Sequence, residues 1–262
     1  MLNARDATDD VLHRLRHTAR TLLHRAFLLP LLLVSCGSDP VWTGGDSLRA
    51  LFVGNSLTYF NDLPQMLERM ASADGFRNLE TLDVSRANYG LEDHWGDADS
   101  RDALAEGGWD VVIMQQGPSS LPESRVDLVT WSSTWADAIR AQGGVPALYM
   151  VWPDRSRLDF FDDVSLSYRT AAAEADAELF PAGDAWRAAW DEKLTLPLYG
   201  PDDFHPSVMG TYLAALTIYR GLTGRDPPSL SGLGISAADD AILQRAARTA
   251  VEAVASAHMP PH

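Results

Sequence analysis

From residue 49 almost to the end of the 262-residue chain, short apolar runs alternate with longer stretches in which apolar residues recur every three or four positions. The runs at 49–53 (RALFV), 79–84, 111–115 (VVIMQ) and 145–151 (VPALYMV), with a weaker one at 178–182, have the length and composition of buried strands. Leu63, Met66, Leu67 and Met70 follow Asn61, Asp62 and Pro64, a start signal that predicts a helix there. Helical spacing also covers 126–142, 165–177 and 207–223, the last with Met209, Leu213 and Leu216 on one side. A final helix is predicted over 237–257, carrying Leu243, Ala247, Ala250, Val251 and Val254 on one side. Strands that alternate with helices predict a parallel sheet covered on both faces.

In such a sheet the ligand site lies beyond the carboxyl ends of the strands. Four loops should therefore converge: Gly54-Asn55-Ser56-Leu57-Thr58, Asn88-Tyr89-Gly90, Gln115-Gln116-Gly117 and Trp152-Pro153-Asp154.

Composition narrows the chemistry. A chain that is 46% hydrophobic and 22% charged can bury a full core. The formal charge of -15 disfavours nucleic acid as a partner. Lys193 is the only lysine and lies in no recognisable motif, which removes Schiff-base and P-loop chemistry. One cysteine, Cys36, excludes intrachain disulfides, thiolate zinc sites and iron-sulfur clusters. Cys36 directly follows the apolar stretch 26–34, which is preceded by Arg14, Arg16, Arg20 and Arg25 with no acidic residue after Asp10. That is the pattern of a secretory signal, too short to span a bilayer. Residues 37–47 (GSDPVWTGGDS) read as a flexible tether.

The histidines point to a base. His13, His17 and His24 fall within the signal, and His258 and His262 lie in the terminal tail, leaving His94 and His205. Asp202, three residues before His205, can turn back to accept the imidazole Nδ1 proton and leave Nε2 free to take a proton from a hydroxyl. The pair alone is equally compatible with a helix-capping cluster. Ser56, after Gly54 at the end of a strand, is the complementary nucleophile candidate, although Thr58 stands where the α/β-hydrolase elbow needs glycine.

Together these residues resemble the SGNH (GDSL-like) hydrolase superfamily. Leu51-Phe52-Val53-Gly54-Asn55-Ser56-Leu57-Thr58 is similar to its first block, with Asn55 where better-known members carry aspartate. Gly90 is similar to the second-block glycine, and Asp202-Asp203-Phe204-His205 to the final D-x-x-H. The third block departs most, since the G-x-N-D asparagine is absent from the segment that ends Gln115-Gln116-Gly117-Pro118-Ser119. The resemblance implies a three-layer α/β/α sandwich around a flavodoxin-like, doubly wound, five-stranded parallel sheet. It implies Ser56 as nucleophile, His205 as base, Asp202 as its orienting partner, and an oxyanion hole of the Ser56 and Gly90 N–H groups with an amide from Gln115 or Gln116; Ser119 is a third possibility. No metal or organic cofactor is implied. Leu33-Val34-Ser35-Cys36 resembles a lipobox, which implies a signal peptide over residues 1–35, a lipid-anchored tether over 36–47 with Cys36 lipidated, a hydrolase domain over 48–262, and export to the bacterial cell envelope.

The expected activity is hydrolysis of carboxylic esters, with O-acetyl esters of carbohydrates as one class. An O-acyltransferase of the same mechanism and a non-catalytic binding lipoprotein are the alternatives; oligomeric state is not readable. Trp95 and Trp152 fall near the loops, where they could stack on a sugar or pack in the core. His94, beside Glu92 and Asp93, reads as a solvated loop residue.

Overall fold

The computed structural model describes residues 47–75 and 78–257. The signal, the tether up to Asp46 and Cys36 lie outside them. Five strands form one parallel sheet in the order β2-β1-β3-β4-β5: β1 Ser47–Val53, β2 Asn78–Asp83, β3 Val111–Met114, β4 Val145–Tyr149 and β5 Glu178–Phe180. Four strands end earlier than their apolar runs, β2 at Asp83, β3 at Met114, β4 at Tyr149 and β5 at Phe180; after β3 and β4 the chain turns out of the sheet while Gln115 and Met150 to Trp152 stay buried. Apolar periodicity reports burial, and burial outlasts the ladder here.

Between the strands run α1 Ser56–Tyr59, α2 Leu63–Ala73, α3 Leu91–Gly96, α4 Ala98–Glu106, α5 Pro122–Ala141, α6 Phe161–Ala175, α7 Ala182–Glu192, α8 Val208–Thr223 and α9 Ala237–Ala257. One packed group contains α2, α7, α8 and α9, and the other α3, α5 and α6, with α4 against α3. These are the two helical layers of a three-layer α/β/α sandwich, as expected. The predicted helices at 126–142 and 165–177 begin four residues earlier in the structure, with Pro122 at the first turn of α5. Of the unanticipated elements, α1, α3 and α4 are short, and α7 puts Trp186 fully into the core.

Why α8 is so apolar follows from its place. It buries twelve of sixteen residues, and at Gly210 a Cβ would come within 2.2 Å of the Leu198 carbonyl oxygen and 2.5 Å of the Trp186 ring. Glycine there lets the helix seat closely beside the loop that carries His205.

The chain leaves β1 toward β2 at one side and returns to β3 on the other, so β1 and β3 flank the point where strand order reverses. A cleft opens at the carboxyl ends of adjacent strands at such a switch point. Ser56 and Gln115 lie immediately beyond β1 and β3.

Candidate active site

Ser56 opens α1 on a turn made tight by its neighbours. A Cβ on Gly54 would fall 2.4 Å from Thr58 Oγ1 and 2.7 Å from Gln115 Oε1, so no other residue fits without displacing both. The Asn55 side chain caps the helix, accepting from Leu57 N–H at 3.1 Å, and its amide donates to the Tyr89 carbonyl at 3.0 Å. Aspartate could make the first bond but has no proton for the second. That double role gives a physical reason for Asn55 and ties the Ser56 turn to the Gly90 loop.

His205 reaches the same place from 149 residues further along. The Ser56 hydroxyl donates to His205 Nε2 at 2.9 Å, and His205 Nδ1–H donates to Asp202 Oδ2 at 2.6 Å. Asp202 Oδ1 also accepts the backbone N–H groups of Phe204 (3.1 Å) and His205 (2.9 Å). The bond from the His205 ring, and then these two amides, hold the Asp202 carboxyl down at about 2. The pair does cap its own turn, as the sequence allowed, yet the imidazole still faces Ser56.

The loop bearing His205 is fastened at several points. Trp152 Nε1–H donates to the Phe204 carbonyl at 3.1 Å, Arg155 N–H to the Asp203 carbonyl at 2.9 Å, and the Arg155 guanidinium pairs with Asp203 at 2.6 Å. Asn61, in the left-handed region at φ 54°, donates to the Pro206 carbonyl at 3.0 Å and Thr211 Oγ1 at 2.9 Å. Phe60 stacks on the imidazole, ring centroids 4.0 Å apart and 12° from parallel. Sequence reasoning missed Phe60, Asn61 and Arg155, whose roles depend on contacts more than forty residues away. Trp152 is fully buried and stacked on Trp186 at 3.6 Å, so its face is not open to a sugar.

The two glutamines divide as strand alternation requires. Gln115 turns inward: Oε1 accepts from Asn55 N–H and Thr58 Oγ1–H, both at 2.8 Å, and Nε2 donates to the Gln116 carbonyl at 2.5 Å. One of its amide protons is thereby committed to the backbone, and its oxygen supports the Ser56 turn. Gln116 lies against Gly90, where a Cβ would be 3.1 Å from Gln116 Oε1. That oxygen accepts from Leu91 N–H at 3.1 Å, and Nε2 donates to Ser119 Oγ at 3.2 Å and, more weakly, to Asp127. Buried Tyr168 donates to the Gln116 carbonyl at 2.5 Å and accepts from its N–H at 3.3 Å, fixing that backbone. Gly90 N–H donates to Asp93 Oδ2 at 2.8 Å, the half of a capping box open to a glycine N-cap. Ser56 N–H, at the first position of α1, has no intrahelical partner.

The fold has well-matched counterparts among solved structures. A candidate SGNH hydrolase from Slackia heliotrinireducens is 29% identical, with a TM-score of 0.57, covering 67% of this chain and 99% of its own. The fold is that of the SGNH hydrolases. A DUF4886 family protein from Bacteroides uniformis shares the fold at 19% identity, TM-score 0.65, over 78% of this chain and 95% of that one. So does a catalytic mutant of an acetylxylan esterase from Geobacillus stearothermophilus, at 16% identity, TM-score 0.53, over 69% and 96%. No family model matches the sequence. No curated protein matches it either.

Within the SGNH hydrolase frame, the residue read most wrongly from sequence is His94. It is fully buried in α3, bonded at both ring nitrogens, and burial pushes its pKa below the usual histidine value. The acidic neighbours Glu92 and Asp93 suggested solvent. The usable signal was Leu91, His94 and Trp95 at helical spacing, with Trp95 packed on Trp131 and Trp135. Asp97 caps the start of α4, accepting from Ser100 N–H. No cluster of metal-ligating side chains occurs among the described residues.

Proposed function

We propose that this chain, with the fold of the SGNH hydrolases, is a serine esterase in which Ser56 is the nucleophile, His205 the base and Asp202 its orienting partner. The observation that carries the reading is the line of bonds from Ser56 Oγ through the imidazole to the Asp202 carboxylate, at 2.9 and 2.6 Å. As Oγ attacks the ester carbonyl carbon, its proton passes to His205 Nε2, and the imidazolium is stabilised by Asp202. Collapse of the tetrahedral intermediate expels the alcohol, which takes the proton from Nε2. Water then attacks the acyl-serine, again losing its proton to His205, and the acid leaves as Ser56 recovers its hydroxyl.

The oxyanion develops beside Ser56 N–H, Gly90 N–H and Gln116 Nε2, the last of which has to release Ser119 or Asp127 in order to donate. The Gly90 amide is shared with Asp93, so the substrate oxygen has to compete with a carboxylate for that one donor. Phe60 and Trp152 keep the imidazole and its loop from swinging away.

Within carboxylic esters, O-acetyl esters of carbohydrates are the proposed class, supported by the shared fold with an acetylxylan esterase. A small acyl group, a carbohydrate alcohol and attachment to the cell envelope through Cys36 form one consistent reading of an exported enzyme. Hydrolysis of p-nitrophenyl acetate by the purified protein and by Ser56→Ala and His205→Ala variants tests the mechanism; equal rates in all three would reject it. Cys36→Ser tests the anchor: it should move the protein from the membrane to the soluble fraction, and unchanged membrane association would reject lipidation at that residue.

A further inference from the structure

The mechanism leaves the buried imidazole of His94 unused. His94 Nε2 lies 2.7 Å from the Gly54 carbonyl oxygen, and Nδ1 lies 2.7 Å from Ser100 Oγ. Gly54 is two residues before Ser56, and His94 is four residues after Gly90, in the helix that starts at the Gly90 loop. Among the described residues no other side chain bonds the Gly54 carbonyl; its second partner is the backbone N–H of Arg86 at 3.0 Å.

We propose that His94 is a positioning residue that fixes the nucleophile turn relative to the oxyanion loop, acting through a bond from Nε2–H to the Gly54 carbonyl. The inference rests on Ser56 being the nucleophile.

Proton accounting decides the tautomer. A carbonyl oxygen only accepts, so Nε2 must carry a proton. Ser100 Oγ has one proton and two acceptors in reach, His94 Nδ1 at 2.7 Å and Asp97 Oδ2 at 2.9 Å. With the hydroxyl turned to Nδ1 the imidazole is neutral. Turned to Asp97, it would require Nδ1–H and an imidazolium. Burial in the 0% exposed pocket favours the neutral form. Facing His94 are Asp97 and Asp93, which favour the charged form, Arg86, which opposes it, and the Tyr89 ring, edge-on at 5.1 Å. In both states the Gly54 bond persists, so His94 serves as a clamp.

Other features at this position act in the same direction. The indole of Trp135 donates to the Leu91 carbonyl at 3.0 Å and holds the start of α3. Gln115 holds the other side of the turn through Asn55 N–H. Removing His94 therefore frees one of two side chains that grip residues 54 and 55, and an ångström of drift at Oγ is enough to cost about a hundredfold in rate.

The test compares His94→Gln, His94→Asn and His94→Ala. A glutamine amide can reach the Nε2 position and donate to Gly54, whereas asparagine reaches only the Nδ1 position. Hydrolysis of p-nitrophenyl acetate and the labelling rate of Ser56 by a fluorophosphonate are read together with the thermal midpoint. The expected result is a loss of about 100-fold in kcat for Asn and Ala with KM little changed, and rescue to within about tenfold by Gln. Equal losses for Gln and Asn, or wild-type rates in all three, would overturn the proposal. Nitrogen-15 NMR of the unsubstituted protein supplies a readout independent of turnover: His94 should be neutral at pH 7 with its proton on Nε2, and a proton on Nδ1 alone would overturn it. If the unsubstituted protein neither hydrolyses ester nor labels at Ser56, it is the esterase reading that has failed, and the NMR result still decides the clamp.

Discussion

Asp202 shows how much one side chain's surroundings determine. Its carboxyl is held down at about 2 against an ordinary 3.8, so it stays ionised through the range in which an esterase works. A depressed carboxyl pKa adds stability that is present above the unfolded value, near 4, and is lost as pH falls through about 2. The thermal midpoint of Asp202→Asn should therefore converge on that of the unsubstituted protein as pH falls from 4 to 2; a constant gap would contradict the assignment. The same variant should lose about 10²- to 10⁴-fold in kcat, because asparagine cannot accept the Nδ1 proton and orient the ring as well. The glutamines separate function from support. Gln116→Ala should lose about 10²- to 10³-fold in turnover, with some loss of stability because Leu91 N–H also loses its partner. Gln115→Ala strips partners from buried Asn55 N–H and Thr58 Oγ1 and should show mainly as lost stability, about 2 kcal/mol by denaturant titration. A rate loss larger for Gln115 than for Gln116 would contradict the division.

Short helices set the geometry at the next scale. In α3, Asp93 accepts the Gly90 amide while His94 grips Gly54, so one turn touches both halves of the site. Asp93→Asn keeps an acceptor for the cap but removes a negative charge from beside the developing oxyanion. The expected result is a rise in kcat/KM of up to about tenfold, about 1.4 kcal/mol at the transition state; a fall would mean that the carboxylate assists. His94 has a lowered pKa, so the unfolded chain binds its proton more readily. Its contribution to stability is present above about pH 6.5 and declines below it. His94→Gln should accordingly show a flatter dependence of thermal midpoint on pH between 7 and 5. These short elements are also where the sequence was least legible. The strands and long helices carried enough apolar residues to be recognised by period, and Ser56, Asp202 and His205 stood out by type and order. By contrast, α3 has six residues, so its periodic signal was confined to Leu91, His94 and Trp95, and its two acidic residues disguised a buried histidine. Gln115 and Gln116 could not be separated until the strand end fixed which one faced inward.

At the scale of the whole molecule, the site is a consequence of strand order. The reversal between β1 and β3 opens the cleft, and α8 brings the His205 loop across it from the far end of the chain. Tyr199 at the base of that loop donates to the Pro153 carbonyl at 2.5 Å and stands edge-on to Trp186. The aromatic layer thereby links α7, the loop after β4 and the loop carrying the base. Trp152→Phe keeps most of the packing but removes the bond to the Phe204 carbonyl, and should cost about 1 kcal/mol of stability by denaturant titration. No helix among the described residues is long and apolar enough to cross a membrane. The proposed attachment to the envelope is through Cys36, and the Cys36→Ser fractionation reads that directly.

The most direct test of the whole account is to treat the protein with a fluorophosphonate and map the adduct by mass spectrometry. The account predicts one adduct, on Ser56, formed at a rate that His205→Ala lowers by at least about a thousandfold. An adduct on another residue, or labelling of Ser56 that proceeds unchanged without His205, would contradict it.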